Sequence, residues 1–245
     1  MAQLVLVRHA QASFFGARYD ALSPLGHAQA RALGAHWATH GVRFDRVFVG
    51  PRQRHRETCE VVAGVYRERG LPWPAARAAD ELDEHHGIAV LKHRLGRAAA
   101  AGDALHPADP GSLPEAEREQ AVRHFARQYT DVMRDWARGT IHVPEVEPWA
   151  EVQERALRAL DLMCGEGDGA PGAGPAARSV AFTSSGLVCA ATGCLLGLDA
   201  DRVIDLSTVL RNSALTEVAY SGRRRTLVSF NALPHLPDAR QATAV

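Results

Sequence analysis

The sequence predicts an α/β fold, a three-layer α/β/α sandwich with a mostly parallel central sheet and a helical insert over one end. Three observations carry this. Short apolar runs such as Leu4–Val7 and "SVAFT" have the length and continuity of strands buried on both faces of a parallel sheet. Helical stretches with start and stop residues follow these runs. The resulting β-α-β-α order implies parallel strands joined by crossover helices. A chain of 245 residues with 46% hydrophobic residues suits one large domain carrying an insert.

The elements follow in order. After Leu4–Val7 comes "SPLGHAQARALGAHWATHG", with Ser23 as N-cap, Pro24 as first helical residue and Gly41 as stop. Leu25, Ala28, Leu33 and Trp37 are expected near one face of this helix. "FDRVFVG" predicts a strand over Arg46–Val49. "PRQRHRETCEVVAGVYRERG" predicts a helix opened by Pro51 and closed by Gly70, and residues 80–87 read as a loop. Residues 88 to about 145 are expected to be a mostly helical insert, broken by the Pro/Gly-rich "DALHPADPGSLP". "PWAEVQERALRALDLMCG" is a further amphipathic helix, and "GEGDGAPGAGPAARS" a flexible surface loop. "SVAFTSSG" and "LVCAATGCLLGL" form a strand and its helix. "NSALTEVAYSGRRRTLVSFN" reads as a β-hairpin closed by Ser221–Gly222, and the tail after Pro237 as disordered.

Composition excludes some functions. A formal net charge of +0 and a pI near 7.2 provide no general field for nucleic acid or an anionic membrane. Attraction for an anionic substrate must be local. Cys59, Cys164, Cys189 and Cys194 match no CxxC pair or zinc pattern and read as reduced core residues. The N-terminus lacks the form of a signal peptide, and no apolar run has membrane-spanning length, so a soluble cytoplasmic protein is expected.

Arg8 and His9 end the first strand, where open parallel sheets bind ligands. Arg presents a fork of donors matched to phosphate oxygens, and a neutral imidazole is a competent nucleophile toward phosphorus. A nearby Arg keeps that imidazole neutral. "VGPRQRHRET" places Arg52, Arg54 and Arg56 at a second strand end and helix start, where backbone N–H groups attract anions. Residues two apart on a helix do not share a face, and Arg56 reads as solvated surface. Glu84 in "ELDEHHG" is a candidate general acid for a departing alkoxide, provided that desolvation keeps it protonated near neutral pH. Each signal alone has a bland reading: a strand-end His satisfied by backbone, a basic surface, an acidic loop.

Together and in this order, "LVLVRHAQAS", "LSPLGHAQA", "VGPRQRHRET", "ELDEHHG" and the closing "LRNSALTEV … LVSFNALPHL" resemble the histidine phosphatase superfamily, the phosphoglycerate-mutase-like group. The resemblance implies that His9 is the phosphorylated nucleophile, that Arg8 and Arg54 hold the phosphoryl oxygens, and that Glu84 is the general acid. Gln11, Ser13, Ser184 and Ser185 join Arg8 and Arg54 as phosphate-binding candidates. It implies no cofactor and no metal, and adjacent His85 and His86 are a poor chelate. The chain departs from the family pattern at "TSSG", where Ser184 stands in the place of a second catalytic histidine, and at Gly50, in the place of Ser. Loss of one such preorganised donor costs about 3–4 kcal/mol, or roughly 10²–10³ in rate. His142 and His85 are candidates to fill the gap, and His235 reads as structural. "TSSG" is not a serine-hydrolase elbow, because Phe182 occupies the position of the first glycine.

These readings leave a phosphomonoester hydrolase as the expected function. A non-catalytic module that binds a phospho-ligand or a protein is the alternative, and a phosphoglycerate-type mutase comes third. The expected partner is a small phosphorylated molecule, with no nucleic acid and no membrane; a homodimer is open. His93, Arg94, Arg97 and His106 of the insert are candidate contacts for an anionic substrate, against the reading of solvated helix surface.

Overall fold

In the computed structural model the described residues are 1–13, 20–101, 115–165 and 177–244. They form a six-stranded sheet in the order β3-β2-β4-β1-β5-β6. The strands are β1 (Ala2–Arg8), β2 (Arg46–Val49), β3 (Ala76–Ala78), β4 (Arg178–Thr183), β5 (Leu215–Ser221) and β6 (Arg224–Ala232). β1, β2, β3 and β4 run parallel, β5 pairs antiparallel with β1, and β6 pairs antiparallel with β5. The predicted α/β sandwich with a mostly parallel sheet is therefore the fold observed.

The three layers follow from the period of two along a strand. Val5 and Val7 of β1, Val47 and Val49 of β2, and Val180 and Phe182 of β4 point to one side. There they meet Leu33 and Trp37 of α1 (Pro24–Thr39) and Val62 and Tyr66 of α2 (Gln53–Glu68). The alternate residues Leu4, Leu6, Phe48 and Ala181 join the opposite core. That core holds Leu160 and Met163 of α5 (Trp149–Cys164), Leu187 and Val188 of α6 (Ser185–Leu196), and Val203 of α7 (Ala200–Val209). Both faces of the central strands are covered, which is why their sequences are apolar without alternation.

Ser23 caps α1 as expected, its side chain accepting from the Gly26 N–H, and Gly41 and Gly70 follow α1 and α2 with φ of +66° and +65°. Several expectations need correction. Ala28 is exposed, because the buried face of α1 is set one position on, at Gln29, Ala30, Leu33 and Trp37. Pro51 lies ahead of α2, whose N-cap is Arg52. β3 and α7 were not anticipated: β3 has three exposed residues and no apolar run to announce it. The hairpin register pairs Ser221 with Arg224, so the turn is Gly222–Arg223. The tail past Pro237 is ordered through Ala244, with a turn at Ala239–Gln241 and Asn212 donating to the Thr243 carbonyl at 2.8 Å.

The region expected as an insert contains α3 (Gly87–Ala101), broken in its dihedrals at Gly96, and α4 (Glu115–Ala137). α4 packs against α3 and α7. The predicted break over 103–114 and most of the predicted surface loop, 166–176, lie outside the described residues.

Two residues of α1 hold the loop that follows His9. Gln29 accepts from the Gln11 N–H at 2.8 Å and donates to the Gln241 carbonyl at 2.7 Å, tying that loop to the tail. A Cβ at Gly26 would stand 2.0 Å from the Gln11 carbonyl oxygen, which is backbone and cannot swing away. Gly→Ala in a helix normally gains up to about 1 kcal/mol. Here overlap wins, and Gly26→Ala is expected to destabilise the fold by about 3 kcal/mol. Urea unfolding checks this; an unchanged or raised midpoint refutes the contact.

Candidate active site

β1, β2 and β4 end at one edge of the sheet. Arg8 is paired with Thr183, and Val49 with Phe182. The next residues, His9, Ser184 and Gly50, therefore emerge side by side; His9 N donates to the Thr183 carbonyl at 2.8 Å and Gly50 N to that of Phe182 at 3.0 Å. The first turn of α2 adds Arg54 and His55, and the loop after a 3-10 turn at Asp80–Leu82 adds Glu84 and His85. Arg155 of α5 anchors this loop, donating to the carbonyls of Glu81 at 3.1 Å and Asp83 at 2.6 Å.

His9 is buried, with Nδ1 2.8 Å from the Ala10 carbonyl. A carbonyl only accepts, so the proton sits on Nδ1 and the lone pair is on Nε2. Burial, with Arg54, Arg8 and His55 nearby, holds its pKa well below 6.5, and the ring is neutral at physiological pH. Thr58 accepts from the Ala10 N–H at 3.1 Å and donates to the Arg54 carbonyl, locking the nucleophile loop to α2.

Arg8 is buried beside it. Its guanidinium donates to the carbonyls of Leu210 and Ala244, the latter at 2.7 Å, so the ordered tail reaches the site. Burial lowers its pKa to about 10, partly offset by Glu84, and it stays charged near neutral pH. Arg54 donates to Asp20 Oδ1 at 2.6 Å and, through Nη2, to Ser184 Oγ at 3.3 Å. Arg8 and Arg54 thus both supply positive charge next to His9. Arg52 instead pairs with Asp83 at 2.5 Å, and Arg56 is exposed as expected.

Glu84 is mostly buried, with Oε1 2.9 Å from His85 Nδ1. Burial alone opposes its ionisation, but His85 beside it and Arg54 outweigh burial and hold the carboxyl well below the ordinary carboxylate range. The expectation that desolvation keeps Glu84 protonated is corrected here: the desolvation is present, and His85 and Arg54 beside the carboxyl outweigh it. A Cβ at Gly186 would stand 2.3 Å from Glu84 Oε1 and 2.1 Å from His85 Nδ1, so glycine at 186 is what admits this pair. The His85 ring stacks on Trp136 of α4 at 5.3 Å.

The remaining candidates divide. The Gln11 side chain accepts from the Ser23 hydroxyl at 2.8 Å, and Ser13 N donates to the Ala21 carbonyl at 2.9 Å, so both order the loop after His9. Ser184 is fully buried at the N-cap of α6, and Ser185 begins that helix. His142 is exposed on a cleft lined by Trp136, Ile141 and Gln153. His235 is buried on Ser213 Oγ at 2.9 Å, a structural place. His93 and Arg94 are exposed; the Arg97 side chain and His106 lie outside the described residues. Cys59, Cys164 and Cys189 are buried and free. Among the described residues no group of three or more His, Cys, Asp or Glu is placed to hold a metal ion, and no helix is long and apolar enough to cross a membrane.

Two site residues escaped the sequence reading. Asp20 accepts from Arg54 and from the Gln53 N–H at 2.6 Å. His55 is fully buried, its ring 5.8 Å from that of His9 and its Nε2 2.6 Å from Ser184 Oγ. The signal for His55 was the glycine at 50, whose Cβ would stand 2.3 Å from His55 Nδ1.

Known proteins match this architecture. Among solved structures, Bacillus stearothermophilus YhfR aligns over 96% of this chain and 99% of its own at 17% identity, with a TM-score of 0.62. A mycobacterial glucosyl-3-phosphoglycerate phosphatase complexed with VO3 aligns over 94% and 98% at 22% identity and 0.58. A phosphoserine phosphatase mutant from Entamoeba histolytica complexed with phosphoserine aligns over 96% and 100% at 16% and 0.54. At these identities the likeness is one of fold. By sequence, the 2,3-bisphosphoglycerate-dependent phosphoglycerate mutase of Sinorhizobium fredii is 35% identical over 86 residues, 33% of this chain and 41% of that protein. Its counterpart from Brucella ovis is 33% identical over 86 residues, 33% of this chain and 42% of that protein. The match spans about two fifths of the length of these curated relatives. The family model of the histidine phosphatase superfamily (branch 1) matches residues 4–88 and 87–233. With nearly the whole chain covered by that family and the fold in agreement, the protein belongs to the histidine phosphatase superfamily.

Proposed function

We propose that the protein is a phosphomonoester hydrolase that works through a phosphohistidine on His9. The observation that carries this is the state of His9: neutral, with its proton on Nδ1 toward the Ala10 carbonyl and Nε2 left as a nucleophile on a ring with Arg54 and Arg8 nearby. Nε2 attacks phosphorus, the bond from phosphorus to the ester oxygen breaks, and the leaving alcohol takes a proton from Glu84. Water then attacks the phosphohistidine and gives a proton to Glu84, and inorganic phosphate leaves with His9 restored. Glu84 must be protonated for the first step. A dianionic phosphoryl group brought to Arg8 and Arg54 places negative charge beside Glu84 and offsets the arginine that helps to hold it down, so substrate binding itself raises the carboxyl toward its acid form.

The phosphatase neighbours and the mutase relatives both support small phosphorylated molecules as substrates; action in the cytoplasm, without cofactor or metal, is part of the same proposal. A mutase must hold water away from phosphohistidine long enough to re-transfer the group. The segment of residues 88–145, which carries α3 and α4, is the proposed cap over the active-site end and the source of substrate choice.

Trapping the intermediate tests the proposal. Labelled phosphomonoester mixed with the protein and quenched in alkali should give a phosphopeptide containing His9 whose label is lost in acid. Turnover without that label refutes the covalent route. No turnover on any of a panel of phosphomonoesters, with phosphate still bound, favours the non-catalytic alternative. Stoichiometric transfer to an added phosphoglycerate favours a mutase.

A further inference from the structure

Ser184 and His55 meet in a geometry that fixes where a proton points. Ser184 follows β4 directly and stands beside His9 at the strand ends. Its hydroxyl oxygen lies 2.6 Å from His55 Nε2 and 3.3 Å from Arg54 Nη2. Arg54 can only donate. For His55, Nδ1 is buried against Gly50 with no hydrogen-bond partner among the described residues. A proton there would be an unpaired buried donor, which is costly, so the proton belongs on Nε2 and is donated to Ser184. Both lone pairs of the serine oxygen are then occupied by incoming N–H groups. The hydroxyl proton has one direction left, and among the described residues the hydroxyl has no hydrogen-bond partner besides His55 and Arg54 to receive it. A buried donor that its neighbours force outward, beside a neutral histidine nucleophile and two arginines, suits an anionic oxygen.

We infer that Ser184 is a catalytic hydrogen-bond donor to the transferring phosphoryl group, and that His55 is the positioning residue that turns the serine hydroxyl toward it. This rests on the phosphatase reading for its substrate but not for its geometry. Neutrality of His55, whose pKa burial lowers to about 3, keeps the arrangement constant over the physiological range. Gly50 completes it, since a side chain there would meet the His55 ring at 2.3 Å and the Leu82 carbonyl at 2.7 Å.

The test compares Ser184→Ala, His55→Ala, His55→Gln, His55→Asn and the double variant Ser184→Ala/His55→Ala. Two readouts are used: kcat and KM on a phosphomonoester, and the affinity for vanadate, which takes the five-coordinate geometry of the transfer. Ser184→Ala is expected to lose roughly 10²–10³ in kcat with KM within a few-fold. His55→Ala should lose most of the same factor, and the double variant no more than Ser184→Ala, because both remove one interaction. The glutamine amide reaches the place of Nε2 and the asparagine amide stops near Nδ1. His55→Gln should therefore recover to within about tenfold of wild type and His55→Asn should not, a contrast that survives if His55→Ala fails to fold. Vanadate affinity should follow the same order.

Ser184→Ala within threefold of wild type in both readouts overturns the donor. Losses that multiply in the double variant, or equal losses for His55→Gln and His55→Asn with unfolding midpoints matched, overturn the positioning role. If wild type hydrolyses nothing but the vanadate order holds, the phosphatase reading fails and the relay stands. If hydrolysis is present and neither kcat nor vanadate affinity responds to these variants, the reverse is true.

Discussion

His9→Ala is expected to abolish phosphomonoester turnover, by roughly 10⁴-fold or more, with the fold retained. The size follows from the lack of a substitute. The thiols near the core are no alternative, since burial pushes Cys59 up to about 12 and raises Cys189 further. Ser184 has both lone pairs occupied by His55 and Arg54, so it is set to donate and not to attack. The structural cost is smaller. The Ala10 carbonyl loses its partner on the imidazole, worth about 1–3 kcal/mol if left unpaired. Arg54 and its Asp20 partner are untouched, so phosphate or vanadate affinity should change only a few-fold. Steady-state kinetics beside an anion titration check this. Activity within tenfold of wild type, on a protein shown by mass to carry the substitution, removes His9 from the mechanism.

Moving from pH 7.5 to 4.5 is expected to destabilise the protein by about 2–3 kcal/mol for each of the buried histidines His55 and His235, with a further loss in the same direction from His9. His55 is lowered by burial to about 3, His235 by burial to about 4, and His9 well below 6.5 by burial and the arginines. The folded-state pKa of each is depressed, so on acidification the unfolded chain takes up protons first. The stability is fully present above 6.5 and is lost as pH falls from there toward the folded values. Two pH units below 6.5 give about 2.7 kcal/mol per histidine, or about 5 kcal/mol for His55 and His235 together as an upper bound, against a typical domain stability of about 5–15 kcal/mol. Depressed carboxylates such as Glu84 add their loss mainly below pH 4.5, outside this window. Urea unfolding at both pH values, for wild type and His55→Gln, reads the effect. The variant should lose about 2–3 kcal/mol less, and equal losses would remove His55 from the linkage.

The parts of the fold that were readable in advance are those with local causes. Leu4–Val7 and Ser179–Thr183 are strands because continuous apolar residues need cover on both faces. Ser23 and Pro24 begin α1 because a cap and a fixed φ act within one turn. β3 gave no such signal: its exposed Ala-Arg-Ala gains its place only by pairing with β2. The tail after Pro237 looked disordered by composition, yet backbone bonds to Asn212, Gln29 and Arg8 order it, and those partners lie far away in sequence.

The same division runs through the site. The sequence by itself determined that Arg8, His9, Arg54 and Glu84 lie at strand ends, helix starts and loops of a histidine phosphatase chain, because those placements depend on residue type and short spacing. Only the tertiary structure decided that His85 and Arg54 hold Glu84 below the ordinary carboxylate range, that Arg8 is held by the Leu210 and Ala244 carbonyls, and that His55 reaches Ser184 under Gly50. Protonation and donor direction are sums over charges and partners brought by β1, β4, α2 and the Glu84 loop. Such sums exist only when the segments share one buried volume, where water no longer screens them.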